Sequence, residues 1–235
     1  MNPYLFRILR SPSRTDIFQV SLEERMTVLD ALFSIRQERD PTLAFRCSCR
    51  VGMCGTCAMS VNGTARLACR TRVVTLKSKT VTVAPLPNLP VIRDLVVSLD
   101  PFFEQWKRVL PALHPREPAA KDLARIPADS PYARQTPRKR DCITCGACFS
   151  ACGVRGTNRG YLGPAAINKA FLRLLDPRDG AATQRLDVLN DEYSGLWRCH
   201  TQFNCTEVCP KGIDLTDTIT RLKRAMLAPG RWLAR

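Results

Sequence analysis

Residues 142–152 read Cys-Ile-Thr-Cys-Gly-Ala-Cys-Phe-Ser-Ala-Cys, and residues 199–212 read Cys-His-Thr-Gln-Phe-Asn-Cys-Thr-Glu-Val-Cys-Pro-Lys-Gly. The first stretch spaces its thiols as C-x2-C-x2-C-x3-C, a run that wraps a cubane iron–sulfur cluster. The second keeps the end of the same run, C-x3-C-P, but holds Gln202 in the slot of its second cysteine. Where two such runs share a chain, the fourth cysteine of each ligates the other cluster. That exchange assigns Cys142, Cys145, Cys148 and Cys209 to one centre, and four thiolates predict [4Fe–4S]. The other centre receives Cys152, Cys199 and Cys205. A cubane needs one ligand per iron and the Gln202 amide is a poor thiolate substitute, so this centre is expected to lack one iron, as [3Fe–4S].

Upstream, Cys49-x4-Cys54-x2-Cys57 is followed by Cys69 after eleven intervening residues. This is the plant-type [2Fe–2S] spacing. A loop folded around an anionic cluster must bring its backbone close and turn its N–H groups inward, and Gly52 and Gly55 permit the φ angles required. The three groups use eleven of the twelve cysteines. Cys47 is left over; Cys47-x6-Cys54 matches no cluster spacing, and Cys47 reads as a buried bystander thiol. Disulfides would need an oxidising compartment, and residues 1–20 contain no apolar signal segment. Structural zinc uses two C-x2-C pairs rather than triplets with a lagging fourth thiol.

The remaining composition excludes other classes. The 235 residues contain no run of 18 apolar residues, so no membrane span is expected. Only two histidines are present, and no dinucleotide fingerprint, P-loop or Ser/His/Asp set is found, which argues against acid–base catalysis by this chain. The formal charge is +15. Three oxidised clusters with their thiolates would reduce it to roughly +9. That charge suits an anionic membrane leaflet and an acidic partner. No nucleic-acid recognition motif accompanies it, so nucleic acid is not an expected partner. The run Arg138-Lys139-Arg140 just before Cys142 reads either as a solvated basic edge or as a docking feature.

Local patterns order the elements. Leu5–Arg10 and Ile17–Leu22 are strand candidates around Ser-Pro-Ser. Thr27-x-x-Asp30 resembles a capping box, and Val28, Leu29, Leu32 and Ile35 have helical spacing that stops before Pro41. Asn62-Gly63 between Ala58–Val61 and Thr64–Ala68 signals a hairpin. Val73–Leu76 and Thr80–Val83 are two further short strand candidates. Six prolines fall within residues 111–137, marking a boundary or an extended wrapped segment. Beyond it, Pro164 suits the first turn of a helix through Leu175. Leu215, Ile219, Leu222 and Met226 form an amphipathic stripe ending near Gly230, read as core or partner contact rather than an anchor.

The stretches CRVGMCGTC (49–57), VIRDLVV (91–97), CITCGACFSAC (142–152), GPAAI (163–167) and CHTQFNCTEVCPKG (199–212) together resemble the iron–sulfur subunit of the succinate dehydrogenase and fumarate reductase family over nearly the whole chain. The resemblance implies an α+β chain: an N-terminal β-grasp, plant-type ferredoxin domain over residues 1–100, a Pro-rich connection over 101–137, and an α-helical two-cluster, bacterial-type ferredoxin domain over 138–235. It implies the same ligand sets as the spacing. It also implies an electron wire between FAD on a partner flavoprotein subunit and a membrane quinone beside anchor subunits. The chain would lie peripherally on the cytoplasmic face of a bacterial plasma membrane. His200 matches a family position near the quinone and its proton path. The stretch Gly153–Asn158 carries no Trp where the ubiquinone-reducing branch has quinone-contacting tryptophans, so those contacts are not carried over, and menaquinone or another acceptor fits. The alternatives are the iron–sulfur subunit of another flavin-linked, quinone-reactive oxidoreductase, and a free-standing multicluster ferredoxin.

Overall fold

Alternation along the chain builds the first sheet. In strand β1 (Asn2–Ser11), Tyr4, Phe6, Ile8 and Arg10 are buried while Leu5 and Arg7 are exposed, the period of a sheet with one dry face. The structure, a computed structural model, describes residues 2–11, 14–116 and 125–228; most of the expected Ser-Pro-Ser turn and Gly230 lie outside them. The chain divides into two compact units, Met1–Leu99 with Ile143–Ala151, and Asp100–Cys142 with Cys152–Arg235.

In the first unit β1 pairs antiparallel with β2 (Arg14–Leu22), placing Phe6 opposite Phe18. Helix α1 (Val28–Glu38) follows, opened by the capping box its sequence suggested. The Asp30 N–H donates to Thr27 Oγ1 at 3.3 Å and the Thr27 N–H to Asp30 Oδ2 at 2.8 Å. Val28, Leu29, Leu32 and Ile35 point into the core with Phe6, Ile8, Val81 and Val83. β3 (Ala58–Val61) and β4 (Thr64–Leu67) form the expected hairpin; Asn62 and Gly63 both have positive φ, 49° and 78°, as a two-residue hairpin turn requires. β5 (Thr80–Ala84) runs parallel to β1 and antiparallel to β3, giving the order β2-β1-β5-β3-β4.

Val73–Leu76, expected as a strand, is a 3₁₀ turn. The Val73 N–H donates to Met26 O and the Val28 N–H to Thr71 O, so this segment's backbone is tied to the entry of α1 instead of to a strand ladder.

A short hairpin, β6 (Val91–Arg93) with β7 (Val96–Val97), closes the unit's sequence-continuous part. Its turn residue Asp94, at φ 48°, meets the guanidinium of Arg10. Arg10 Nε and Nη2 donate to the two Asp94 carboxylate oxygens, each at 3.0 Å. Its Nη1 also reaches Asp16 at 3.1 Å and Asp40, and Nη2 reaches Thr42 Oγ1 at 3.0 Å. Burial alone would raise the Asp94 pKa; the Arg10 guanidinium and the Ala44 N–H outweigh it and hold the carboxyl below the usual range.

The second unit opens with α2 (Asp100–Arg108) and the small α3 (Pro131–Gln135). The segment Ile143–Ala151, expected in the helical domain, is grouped with the first unit: it contains α4 (Ala147–Ser150), and Ile143 and Cys145 pack against the first core. The chain continues in the second unit with α5 (Gly153–Thr157), α6 (Pro164–Leu175), α7 (Ala182–Asn190), α8 (Asn204–Glu207) and α9 (Leu215–Leu227). Pro164 opens α6 as expected. Ile167, Ala170, Phe171 and Leu174 of α6 share a core with Leu189 of α7 and with Ile219 and Leu222 of α9. The amphipathic stripe of α9 is therefore spent inside the unit.

One buried and one half-buried ion pair fasten this helical layer. Arg185, fully buried, binds Asp179 and donates to the carbonyls of Val109, Leu110 and Ala112. Lys139, the middle member of the basic run, is buried and its Nζ lies 2.8 Å from Asp217 Oδ2 on α9. Arg138 and Arg140 are exposed, so the run is half structural pin and half solvated edge.

Arg10→Met is expected to destabilise the first unit by about 3–5 kcal/mol, because it takes the buried cation from Asp94 and Asp40 and leaves Asp16 with Arg14 alone. Thermal unfolding of the loaded protein, followed by circular dichroism, measures it; an unchanged midpoint contradicts the role given to Arg10. The sign of the pH dependence is set by the same pair. A lowered native carboxyl pKa contributes stability that is complete above the unfolded value of about 3.9 and lost as pH falls through the native one.

Candidate metal centres

The loop Cys49–Cys57 has no regular structure, and three of its residues, Arg50, Gly52 and Gly55, have positive φ. This winding turns N–H groups onto sulfur: Met53 N and Cys54 N donate to Cys49 Sγ at 3.2 and 3.3 Å. Cys69 sits in the buried 3₁₀ turn after β4, and the Ala68 N–H donates to Cys57 O at 3.1 Å, holding the two cysteine-bearing segments together. Hydrogen bonds from the Thr56 hydroxyl and from the Cys49 and Thr56 N–H groups lower the Cys54 pKa to about 6. Burial pushes Cys57 up to about 12, with Cys69 and Cys54 beside it adding to the shift. Cys49, Cys54, Cys57 and Cys69 thus lie near one another, Cys57 and Cys69 buried, Cys49 and Cys54 half-buried and met by hydrogen-bond donors. Cys47 stands half-buried against the first core.

Gly55 has a second role. At φ +73°, a Cβ on it would lie 2.6 Å from Cys145 Cβ, 3.0 Å from Cys145 Cα and 3.2 Å from Ile143 O. The loop of the first group therefore lies directly against the backbone of Cys145, a member of the second. Cys145 and Cys148 belong to the first unit; Cys142 and Cys209 belong to the second. Cys209 follows α8, and its Sγ accepts the Ile213 N–H at 3.4 Å.

The third group lies within the second unit. Cys152 caps the start of α5, Cys199 follows a short 3₁₀ turn, and Cys205 is buried in α8. Burial raises the Cys152 pKa, and Cys199 adds to it. Burial likewise pushes Cys205 up to about 11, with Cys152 and Cys199 contributing. Cys152 and Cys199 pack against the same apolar core. Cys199 Sγ accepts the Thr201 N–H at 3.4 Å, and Thr216 Oγ1 lies 3.9 Å from Cys205 Sγ. Gln202, the residue in the missing-cysteine slot, packs its amide against Gly153: a Cβ there would meet Gln202 Oε1 at 2.6 Å. His200 is exposed beside Cys199.

Two residues of this site carried no sequence signal. Tyr161 is buried among the three thiols, and Arg155 is buried near Cys152. Neither belongs to a spacing pattern; only folding brings them to the sulfurs.

Among the described residues no three His, Cys, Asp or Glu side chains close on a single metal ion. A polynuclear core interposes irons and sulfides between its ligands and holds them farther apart. Soft sulfur donors and inward N–H groups fit iron–sulfur clusters.

Fold and sites together define a multicluster iron–sulfur protein, a mixed β/α ferredoxin-like unit joined in sequence to a helical one. Comparison with known proteins narrows this. Residues 6–104 match the model of a 2Fe-2S iron-sulfur cluster binding domain, and residues 139–213 match that of a 4Fe-4S dicluster domain. The mitochondrial succinate dehydrogenase [ubiquinone] iron-sulfur subunit 1 of Oryza sativa subsp. japonica is 40% identical over 201 residues, 85% of this chain and 71% of that protein. The corresponding mitochondrial subunit of Dictyostelium discoideum is 39% identical over 206 residues, 83% of this chain and 70% of that protein. A chain of the Mycobacterium smegmatis Sdh1 complex in the apo form superposes with a TM-score of 0.87 at 28% identity, covering 96% of this chain and 97% of its own. The chain belongs to the family of succinate dehydrogenase iron–sulfur subunits.

Gly55→Ala is expected to deplete the first centre. The left-handed conformation costs a side chain about 1–2 kcal/mol, and the added methyl meets backbone that cannot swing away. Iron content and the EPR intensity of the reduced [2Fe–2S] signal measure it; full occupancy in the variant contradicts the close packing.

Proposed function

We propose that this chain is the electron-conducting subunit of a succinate:quinone oxidoreductase, in which it joins the FAD of a flavoprotein subunit to a membrane quinone. Cys49, Cys54, Cys57 and Cys69 hold [2Fe–2S]; Cys142, Cys145, Cys148 and Cys209 hold [4Fe–4S]; Cys152, Cys199 and Cys205 hold [3Fe–4S]. These groups, when bound, pass single electrons, and the dicarboxylate chemistry belongs to the flavoprotein.

The observation that carries the reading is the third group. Three neighbouring thiols with Gln202 at the fourth slot suit a cluster one iron short. Losing one thiolate lightens the anionic load there, which favours a higher reduction potential and an electron flow toward this centre. The chain's part is to hold sulfur, donate N–H groups to it and keep water out. The exposed apolar residues Val51 and Met53 on the first loop suit burial against the flavoprotein. Tyr193, Trp197 and Phe203, exposed and flanking Cys199 in the chain, suit an anchor and quinone interface.

No helix among the described residues is long and apolar enough to cross a membrane. The subunit is membrane-associated through its complex, and the positive charge suits the anionic cytoplasmic face of a bacterial plasma membrane. His200, exposed next to Cys199, is the group proposed to stand on the proton path to the quinone.

Stepwise reduction of the complex followed by EPR tests the cluster assignment. Three centres and about nine irons per chain are expected, with a [3Fe–4S] signal present only when oxidised. Gln202→Cys should convert that centre toward [4Fe–4S], abolishing the oxidised-state signal and lowering its potential; an unchanged spectrum contradicts the ligand map. His200→Ala should slow quinone reduction by about 10²-fold or more while all three EPR signals remain; an unaltered turnover removes His200 from the path.

A further inference from the structure

We infer that Tyr161 donates its phenolic hydrogen to sulfur of the third centre, and that this hydrogen bond raises the reduction potential of that centre. The inference rests on the assignment of Cys152, Cys199 and Cys205 to [3Fe–4S].

Tyr161 is 1% exposed, yet its hydroxyl meets no hydrogen-bond partner within the protein. A buried hydroxyl without a partner carries its full desolvation cost, and native structures rarely leave one so. Its ring lies in the apolar core of the second unit, against which Cys152 and Cys199 also pack. Among titratable groups Cys199 and Cys152 act most on the hydroxyl, with Cys205 next, yet it closes no hydrogen bond to any of them. An acceptor seated among those three thiols completes the missing bond, and a cluster sulfur or its ligating Sγ supplies one.

The ring is held for this task by its own backbone. Arg155 Nη1 donates to Tyr161 O at 2.9 Å, and the Tyr161 N–H donates to Asn158 O and Oδ1, each at 3.2 Å. The next residue, Leu162, donates its N–H to Ser194 O at 2.8 Å, and α6 begins two residues later. A side chain anchored on both sides in this way has little freedom to turn its hydroxyl elsewhere.

The sign follows from charge. Reduction adds an electron to the cluster, and a donor to sulfur stabilises the more negative state. Hydrogen bonds to sulfur are one of the levers that set cluster potentials. Cys199 Sγ already accepts the Thr201 N–H, and Tyr161 adds a side-chain donor that one substitution can remove.

The test is an EPR-monitored redox titration of the assembled complex carrying Tyr161→Phe. The reduction equilibrium of the [3Fe–4S] centre is expected to shift about tenfold toward the oxidised form, ~59 mV lower for a one-electron couple. In parallel, the coupling of a D₂O-exchangeable proton to the oxidised [3Fe–4S] centre should be present in the wild-type complex and lost in the variant. An unchanged potential together with an unchanged exchangeable coupling overturns the inference. Should Tyr161→Phe fail to assemble, Tyr161→3-fluorotyrosine keeps the shape and strengthens the donor; its potential should move upward, and an unmoved potential overturns the inference equally. A wild-type complex with no oxidised-state [3Fe–4S] signal would instead sink the cluster assignment, which separates the two failures.

Discussion

Crowded, buried thiols resist ionisation, and the rest of this molecule is arranged around that resistance. Burial lifts Cys57 to about 12 and Cys205 to about 11, and raises Cys152 as well. Burial therefore disfavours the thiolate form that a metal requires, and metal binding displaces the proton. Folding and cluster loading are therefore linked: the scaffold assembles the thiols at a cost in ionisation, and the iron–sulfur bonds recover it. The chain eases the cost locally with donors, as at Cys54, where the Thr56 hydroxyl and two N–H groups pull the pKa down to about 6.

Cages of this kind need scaffolds that do not relax. In the first unit a sheet and one helix supply the apolar core, and Arg10 ties the far end of β1 to the turn at Asp94. The same Asp94 accepts the Ala44 N–H at 2.8 Å, three residues before the cysteine-bearing segment begins at Cys47. In the second unit Arg185 gathers three carbonyls of the chain after α2, and Lys139, three residues before Cys142, is pinned to α9. Lys139 thus stands three residues from a sulfur-bearing segment, and Asp94 holds the approach to another through the Ala44 N–H. Removing one member leaves an uncompensated charge, so these pairs work as clamps rather than as sources of net stability.

Electron transfer asks for one further feature, closeness between successive centres. It is met by a glycine. The backbone of Gly55 lies against Cys145, so the Cys49–Cys57 loop shares van der Waals contact with a residue of the next cysteine group. A side chain at position 55 would force the two apart. The basic composition suited an acidic partner and an anionic membrane leaflet, and the family assignment agrees with both.

Much of this was written in the one-dimensional pattern. Cysteine spacing is a local property of loops, and it sorted eleven thiols into three groups and marked the slot of Gln202, while the family was read from whole stretches, VIRDLVV (91–97) and GPAAI (163–167) among them. The capping box at Thr27, the Asn62-Gly63 turn and Pro164 at the start of α6 were legible because each is decided by residues a few positions apart. Long-range contacts were not legible. Val73–Leu76 has strand-forming residues yet turns, because its backbone partners are Met26 and the entry of α1. The pairing of Arg10 with Asp94 spans 84 positions, and Lys139 reaches Asp217 over 78. Tyr161 has no motif to mark it; only packing carries its hydroxyl to the thiols of Cys152, Cys199 and Cys205. The kind of atom that binds the metal is set by residue type and interval, whereas the groups that tune and clamp it are set by which distant surfaces meet, and no interval along the chain encodes that.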